Sequence, residues 1–511
     1  MIQKFTEALP ADPITENYIR KVSNACYSFV KTFQPQNPKL IHYNKELADQ
    51  LQLLFSEKQA QEVFSGQKDF PDQRSFAMCY GGHQFGHWAG QLGDGRAINI
   101  AEIETPVGTK TVQLKGAGPT PYSRSADGLA VLRSSIREYL CSEAMHHLGI
   151  STTRALSLSL SGEKVMRDVM YNGNPELEPG AIVCRVSNSF VRFGSFEILS
   201  ARKEKGNLEK LMNYVLENHY AHIGIPCKES YLKMFKEIAT RTLDMIINWE
   251  RVGFVHGVMN TDNMSILGET IDYGPYGWLE DFDPSWTPNT TDAQNRRYRF
   301  GNQASIALWN LNKLANAIYP LINETKDLER ILDEYKVEYF QKREKMYMQK
   351  LGLTQESEEL SAVIEAFLLM LEKSSVDMTM FWRKLSDFKE AKDFLATVES
   401  CSYLPQNEFK DHREEWLKCL ATYSSLINKE KRSDGERKLA MDAINPKYVL
   451  RNYIAQQIIE KAEKGDFSML DEVYELLQNP YADQPEYEKY FAKRPEWAKN
   501  KIGCSMLSCS S

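Results

Sequence analysis

No apolar run in this chain approaches the roughly 20 residues that a membrane-spanning helix needs, so no membrane span is expected. There is no basic excess either: 62 Lys and Arg stand against 69 Asp and Glu, a net charge of −7. That balance gives no electrostatic footing for nucleic-acid binding. The nine cysteines (26, 79, 141, 184, 227, 401, 419, 504 and 509) are scattered, with no CxxC pair and no zinc-ligand spacing; most read as small buried hydrophobes. The opening Met1-Ile2-Gln3-Lys4-Phe5 carries neither a secretory apolar core nor transit-peptide character, so a cytoplasmic location is expected. No internal repeat is present. The terminal Cys504-Ser505-Met506-Leu507-Ser508-Cys509-Ser510-Ser511 reads either as a frayed end or as a redox-responsive thiol at Cys509.

What is present is an ordinary globular composition, 42% hydrophobic and 26% charged over 511 residues. That length supports two to four structural units. The first 74 residues read as an N-terminal arm broken by Pro10, Pro13, Pro35 and Pro38, with a helix from Asn44 to Phe55. From about 75 to 200 the pattern is β-rich. From 201 to 320 it turns helical around a set of polar loops. Residues 321–500 read as an all-helical C-terminal region, and 501–511 as a cysteine-containing tail.

The chemistry lies in the middle. Tyr80 to Arg96 holds six glycines and two histidines, a composition that lets the backbone approach a ligand and form an anion nest. Gly93-Asp94-Gly95 taken alone reads equally as a hairpin turn. His83 and His87 have metal-pair spacing only on a helix, which so many glycines disfavour. A predicted hairpin follows, with Lys115 at the end of its return strand. A helix predicted over Val131–Leu148 carries Glu138. Predicted strands Ala155–Leu160, Lys164–Val169 and Ala181–Val186 lead to Arg185 and, just beyond, Arg192; each arginine suits either a forked phosphate contact or a surface charge. A helix over Tyr231–Val252 runs into His256-Gly257-Val258-Met259-Asn260-Thr261-Asp262-Asn263. Two short strands, Met264–Leu267 and Thr270-Ile271, precede Asp272-Tyr273-Gly274.

Protein kinases carry H-R-D-x-x-x-x-N and D-F-G in this order, with the first Asp as base and the Asn and second Asp holding metal. Here the His–Asn separation is kept, but Val258 stands at the base position and cannot accept a proton. The order of the motifs resembles the selenoprotein O (SelO, YdiU-type) family of kinase-like protein adenylyltransferases, most specifically in Tyr80–Arg96, Gln113–Tyr122, Arg133–Leu140, His256–Asn263, Asp272–Gly277 and Arg299–Gln303. The resemblance implies an α+β, kinase-like bilobal fold, with a β-rich N-lobe and a helical C-lobe. It implies that ATP binds in a flipped orientation and that AMP moves to a Ser, Thr or Tyr hydroxyl of a protein; some members are reported to use UTP with manganese. By motif, Gly93, Gly95 and Arg96 would line the nucleotide, with Asp127 and Gly128 touching it from the following loop. Lys115 would contact phosphate and pair with Glu138, while Arg185 and Arg192 clamp phosphates. Asp262 would accept the proton, and Asn263 and Asp272 would hold Mg2+ or Mn2+. Some bacterial members are thought to bridge the terminal cysteine to the segment after D-Y-G; Tyr273–Phe300 has no cysteine, so that bridge is not expected here. A monomer acting on protein substrates is expected. A kinase using another base, and a nucleotide-binding scaffold without turnover, remain as alternatives.

Overall fold

The computed structural model describes residues 4–171 and 173–508; Cys509 lies outside the described residues. The architecture is α+β, with the sheet in the N-terminal part and helices dominating the C-terminal part. The first helices are short: α1 (Lys4–Ala8), α2 (Lys45–Gln50) and α3 (Glu57–Phe64). The strands of the main sheet are β1 (Tyr27–Phe29), β2 (Lys39–Tyr43), β3 (Phe76–Met78), β6 (Ala97–Thr105), β7 (Gly108–Lys115), β8 (Ala130–Val131), β9 (Arg154–Arg167) and β10 (Glu176–Ser187), in the order β1-β3-β6-β7-β10-β9-β2 with β8 beside β10. A separate hairpin, β4 (Gly81–Gln84) with β5 (His87–Gln91), stands off this sheet. β1 and β2, from the first 74 residues, pair into the main sheet.

Helix α4 (Leu132–His147) packs against the sheet and is buried on nearly every face. Buried charges are costly unless paired, and three of its four Arg and Glu side chains are: Arg133 meets Glu178 at 2.9 Å, Glu138 meets Lys115 at 2.6 Å and Glu143 meets Arg154 at 2.8 Å, while Arg137 donates to the Tyr276 carbonyl at 2.5 Å and stacks on its ring. Beyond the sheet lie α5 (Phe193–Ala201), α6 (Lys205–His219), α7 (Lys228–Val252) and α8 (Gln303–Ile322). Further helices run from Thr325–Lys350 to Ser468–Leu477. Among the described residues no helix is long and apolar enough to cross a membrane.

Several local expectations are corrected. The helix expected over Asn44–Phe55 stops at Gln50, because Gln52 takes a left-handed turn (φ +55) and Leu54, 96% exposed, has nothing to pack on. Lys164–Val169 does not form its own strand: β9 runs through Gly162 (φ +84), and a bulge opposite Gly180 absorbs the irregularity. The strands expected at Met264–Leu267 and Thr270-Ile271 reduce to isolated bridges, since the turn from Ser265 to Gly268 leaves too little chain to pair. The described part of the tail is not frayed. Leu507 is buried and bonds both ways to Pro288 and Thr290, at 2.9 and 2.8 Å, and Cys504 is buried with its thiol pushed up to about 11 by burial.

Candidate active site

Strand register assembles the first half of the site. In an antiparallel pair, residues directly opposite share a face, as do residues two apart. Gln113 lies opposite both Arg185 on β10 and Asn99 on β6, and Lys115 is two residues further along β7. One face of the sheet therefore carries Asn99, Gln113, Lys115 and Arg185 where apolar residues would otherwise sit. Arg185 donates to the Gln113 side-chain oxygen, Gln113 donates to Asn99 at 3.1 Å, and Asn99 donates to Asp94 at 3.3 Å.

Helix α4 and the Asp272 turn close over this row. Lys115 Nζ is 2.6 Å from Glu138 and 3.6 Å from Asp272. Arg185 bridges the same two carboxylates, 2.8 Å from Glu138 and 2.7 Å from Asp272. Arg192, the cap of α5, donates to Asp272 and also to the Asp262 carbonyl oxygen at 2.9 Å. Its guanidinium lies 4.5 Å from the Tyr80 ring centroid. Burial alone would raise the Asp272 carboxyl, but Arg192, Arg185 and Lys115 hold it well below the usual carboxylate range. Burial lowers Lys115 against the opposing pull of Glu138 and Asp272. Three cations face two carboxylates, so the cluster keeps a net positive charge suited to phosphates. Asp272 sits at φ +58, left-handed for a residue with a side chain, a conformation that neighbours must enforce; the three cations on its carboxylate do so here.

The second half is the loop after α7. Gly253 ends that helix in a left-handed cap (φ +78) and delivers the two-residue strand β11 (Phe254–Val255), which pairs with β12 (Gly277–Trp278). Next comes His256, whose ring burial pushes down to about 4, so the imidazole is neutral. Its Nδ1 accepts from Val258 N at 3.3 Å, which places the proton on Nε2, 3.3 Å from the Ile271 carbonyl. The histidine thereby ties the loop to the residue before Asp272 and takes no proton itself. Val258 is buried.

Asp262 is buried, and burial pushes its carboxyl up to about 7, against a lowering bond from Gln84. Gln84 Nε2 donates to Oδ2 at 3.1 Å, whereas Oδ1 is buried without a hydrogen-bond partner among the described residues. An unsatisfied buried carboxylate oxygen is costly and available to a ligand proton. The β4–β5 hairpin covers this carboxylate: His83 N donates to Thr261 Oγ1 at 2.7 Å, and Phe85 N to Asn260 Oδ1 at 3.2 Å. The approach at Gly82 is close: a Cβ there would stand 3.0 Å from Asp262 Oδ1 and from Thr261 Oγ1, so either side chain would have to shift to admit it.

The structure thus gathers Lys115, Glu138, Arg185, Arg192 and Asp272 in one cluster, with Asp262 tied to it through Arg192 and Asn263 next to Asp262 in the chain. Arg96 lies close enough to influence Lys115 electrostatically. Gly93 (φ +81) packs on the Tyr122 ring and Gly95 against Ser123. Asp127 is not drawn into the cluster: it pairs with Arg167 at 2.7 Å, and Gly128 (φ +75) packs against Gly118 and Pro119. The glycine-rich run is a hairpin over Asp262 rather than one open phosphate loop. His83 pairs with Glu197 at 2.5 Å, which accounts for it without a metal. Sequence reasoning missed Gln84, Asp94, Asn99 and Gln113. Polar side chains at alternate positions on predicted strands were the available signal for the last two.

Among the described residues no three His, Cys, Asp or Glu side chains form a ready-made metal cage. Asn263 Nδ2 donates to the Val258 carbonyl at 2.9 Å, so its amide oxygen is the atom that would ligate a metal. That oxygen and the Asp272 carboxylate make a hard donor set. It fits magnesium or manganese drawing its remaining ligands from phosphates and water.

Residues 14–478 match the family described as protein adenylyltransferase SelO. Over 514 aligned positions the chain is 54% identical to the protein nucleotidyltransferase YdiU of Flavobacterium johnsoniae, covering 99% of this chain and 98% of that one. It is 49% identical to YdiU of Rhodopirellula baltica, with 99% and 98% covered, and 47% identical to YdiU of Methylobacillus flagellatus, with 99% of each covered.

Proposed function

Because this chain belongs to the SelO family of protein adenylyltransferases, and is therefore a nucleotidyltransferase with ATP as substrate, we propose that it transfers AMP to Ser, Thr or Tyr hydroxyls of other proteins. The observation that carries this reading is the pairing of a buried, net-positive cluster at Lys115, Arg185 and Arg192 with a buried carboxyl at Asp262 whose Oδ1 is unsatisfied.

In the proposed reaction the acceptor oxygen attacks the α-phosphorus of ATP. A new P–O bond forms to the protein, the bond to the bridging α–β oxygen breaks, and pyrophosphate leaves. The acceptor's proton passes to Asp262 Oδ1. A base poised near neutral pH suits that transfer. Lys115, Arg185 and Arg192 hold the phosphate oxygens, and Glu138 keeps Lys115 and Arg185 in place. Magnesium or manganese, held by Asn263 and Asp272, would neutralise charge on the phosphates. No group identified in this cluster reads the base, so the reading extends to UTP with manganese. We take the β-rich and helical parts as the two lobes of a kinase-like fold. Val258 argues against phosphotransfer of the kinase type, because no proton acceptor stands where that reaction needs one.

The test uses ATP labelled on the α-phosphate in one reaction and on the γ-phosphate in another, each with the full chain, magnesium and a cell lysate, and with Asp272→Ala as control. Protein-bound label from the α position alone, lost in Asp272→Ala, is the expected result. Label from the γ position alone would make this a kinase, and ATP binding without label would make it a scaffold.

A further inference from the structure

The segment Arg296-Arg297-Tyr298-Arg299 has no part in the phosphate cluster, yet it is fastened to the loop that carries Asp262. Tyr298 Oη donates to Asn260 Oδ1 at 2.6 Å and accepts from Phe85 N at 2.9 Å. Phe85 follows Gln84, whose amide holds the Asp262 carboxylate. Asp262 therefore has two sides. Its main-chain carbonyl is held by Arg192 of the phosphate cluster; its carboxylate faces the hairpin and, through the hairpin, the arginine run. The arginine run is thereby tied to the loop whose carboxylate is proposed to take the acceptor's proton.

The charge there is unusual for this molecule. The chain carries a net charge of −7, yet Arg296, Arg297, Arg299 and Lys313 form no ion pair among the described residues. Arg297 and Lys313 both stack on Trp309, each 4.6 Å from its ring centroid. Nε and Nη2 of Arg297 are buried without a hydrogen-bond partner, which for a guanidinium is a standing cost. Asp292, the carboxylate of the same turn, directs its oxygens to the main-chain N–H groups of Arg297 and Tyr298, at 3.0 and 2.7 Å, and attracts Arg297 and Arg299 electrostatically without forming an ion pair with either. Arg296 is exposed, and Arg299 and Lys313 are half-buried. A surface of this kind takes carboxylates on a partner: the guanidinium forks match them, and the aromatic ring beneath holds the cations in place.

We propose that Arg296, Arg297, Arg299 and Lys313 select protein acceptors in which the target hydroxyl is flanked by Asp or Glu. The inference rests on the AMP-transfer reading and names its substrate class. Each half-exposed pair contributes little, but two or three together amount to roughly a tenfold preference in kcat/KM, and the preference weakens as salt is raised.

The experiment incubates the full chain with ATP, magnesium and a cell lysate and maps the modified hydroxyls by mass spectrometry. The expected result is enrichment of Asp and Glu beside modified hydroxyls over unmodified Ser, Thr and Tyr in the same proteins. The double variant Arg299→Glu, Lys313→Glu should lose that enrichment and shift towards Lys-flanked sites. Modified sites with no acidic enrichment, or a double variant that lowers all sites equally without changing their flanks, would overturn the inference while leaving AMP transfer standing. No modified hydroxyl at all would remove the AMP-transfer reading, and this inference with it.

Discussion

The protonation of Asp262 offers a test in which activity and stability move in opposite directions. Burial raises this carboxyl from an ordinary 3.8 to about 7. A base works only when deprotonated, so kcat/KM for a protein acceptor should rise roughly tenfold between pH 6 and pH 8 and then level off. Stability follows the reverse sign. Between the unfolded and folded values the native state holds the proton that the unfolded chain has lost, so stability falls as pH rises from about 4 to about 7 and is flat above. A rise of that size sets a ceiling of about 4 kcal/mol on the cost at pH 8, shrinking to under about 2 kcal/mol at pH 5. Asp262→Asn removes the charge while keeping the shape and an acceptor for Gln84. It should therefore lower kcat by a factor on the order of 10² to 10⁴ and yet raise Tm at pH 8 by several degrees, with a smaller gain at pH 5. Scanning calorimetry at the two pH values, beside a rate profile from pH 5.5 to 9, checks both halves. A flat rate profile through pH 7, or an Asn variant that is less stable at pH 8, would refute the assignment of Asp262 as a buried base.

Three further outcomes are expected. Gln84→Ala removes the bond that lowers Asp262, so the inflection of the rate profile should move up in pH; movement down, or none, would mean that the hairpin does not tune the carboxylate. Glu138→Ala leaves Lys115 and Arg185 buried with one carboxylate between them, which should cost about 3–5 kcal/mol in a denaturant melt and weaken ATP binding in a titration. Deleting the residues after Lys501 removes Leu507, whose carbonyl accepts from Thr290 N at 2.8 Å. Thr290 and its neighbours should then lose protection in hydrogen exchange, and unchanged protection would show that the tail does not hold that segment.

Helix positions are legible because burial on one face leaves a period in the sequence. The structure has Leu132–His147 where the pattern predicts 131–148, and Lys228–Val252 where it predicts 231–252. Lengths of irregular structure are not legible: Asn44–Phe55 and Met264–Ile271 have suitable residues, but tertiary contacts and a turn at Gly268 cut them short. The order of the tail is hidden for a related reason. Nothing local in Cys504–Ser508 signals it; it comes from bonds to Pro288 and Thr290, more than 200 residues away in the chain.

The sequence by itself determined which ionisable groups exist and in what order, and the absence of a proton acceptor at Val258. Those are properties of residue type and spacing. Only the tertiary structure decided what each group does to the others. Strand register set Gln113 against Arg185, the cap of α5 brought Arg192 to both Asp262 and Asp272, and the glycine-rich run folded into a hairpin over the Asp262 carboxylate. Desolvation and Coulomb interaction depend on distances across the fold. That is why two aspartates ten residues apart end with one held as a carboxylate and the other poised near neutral pH.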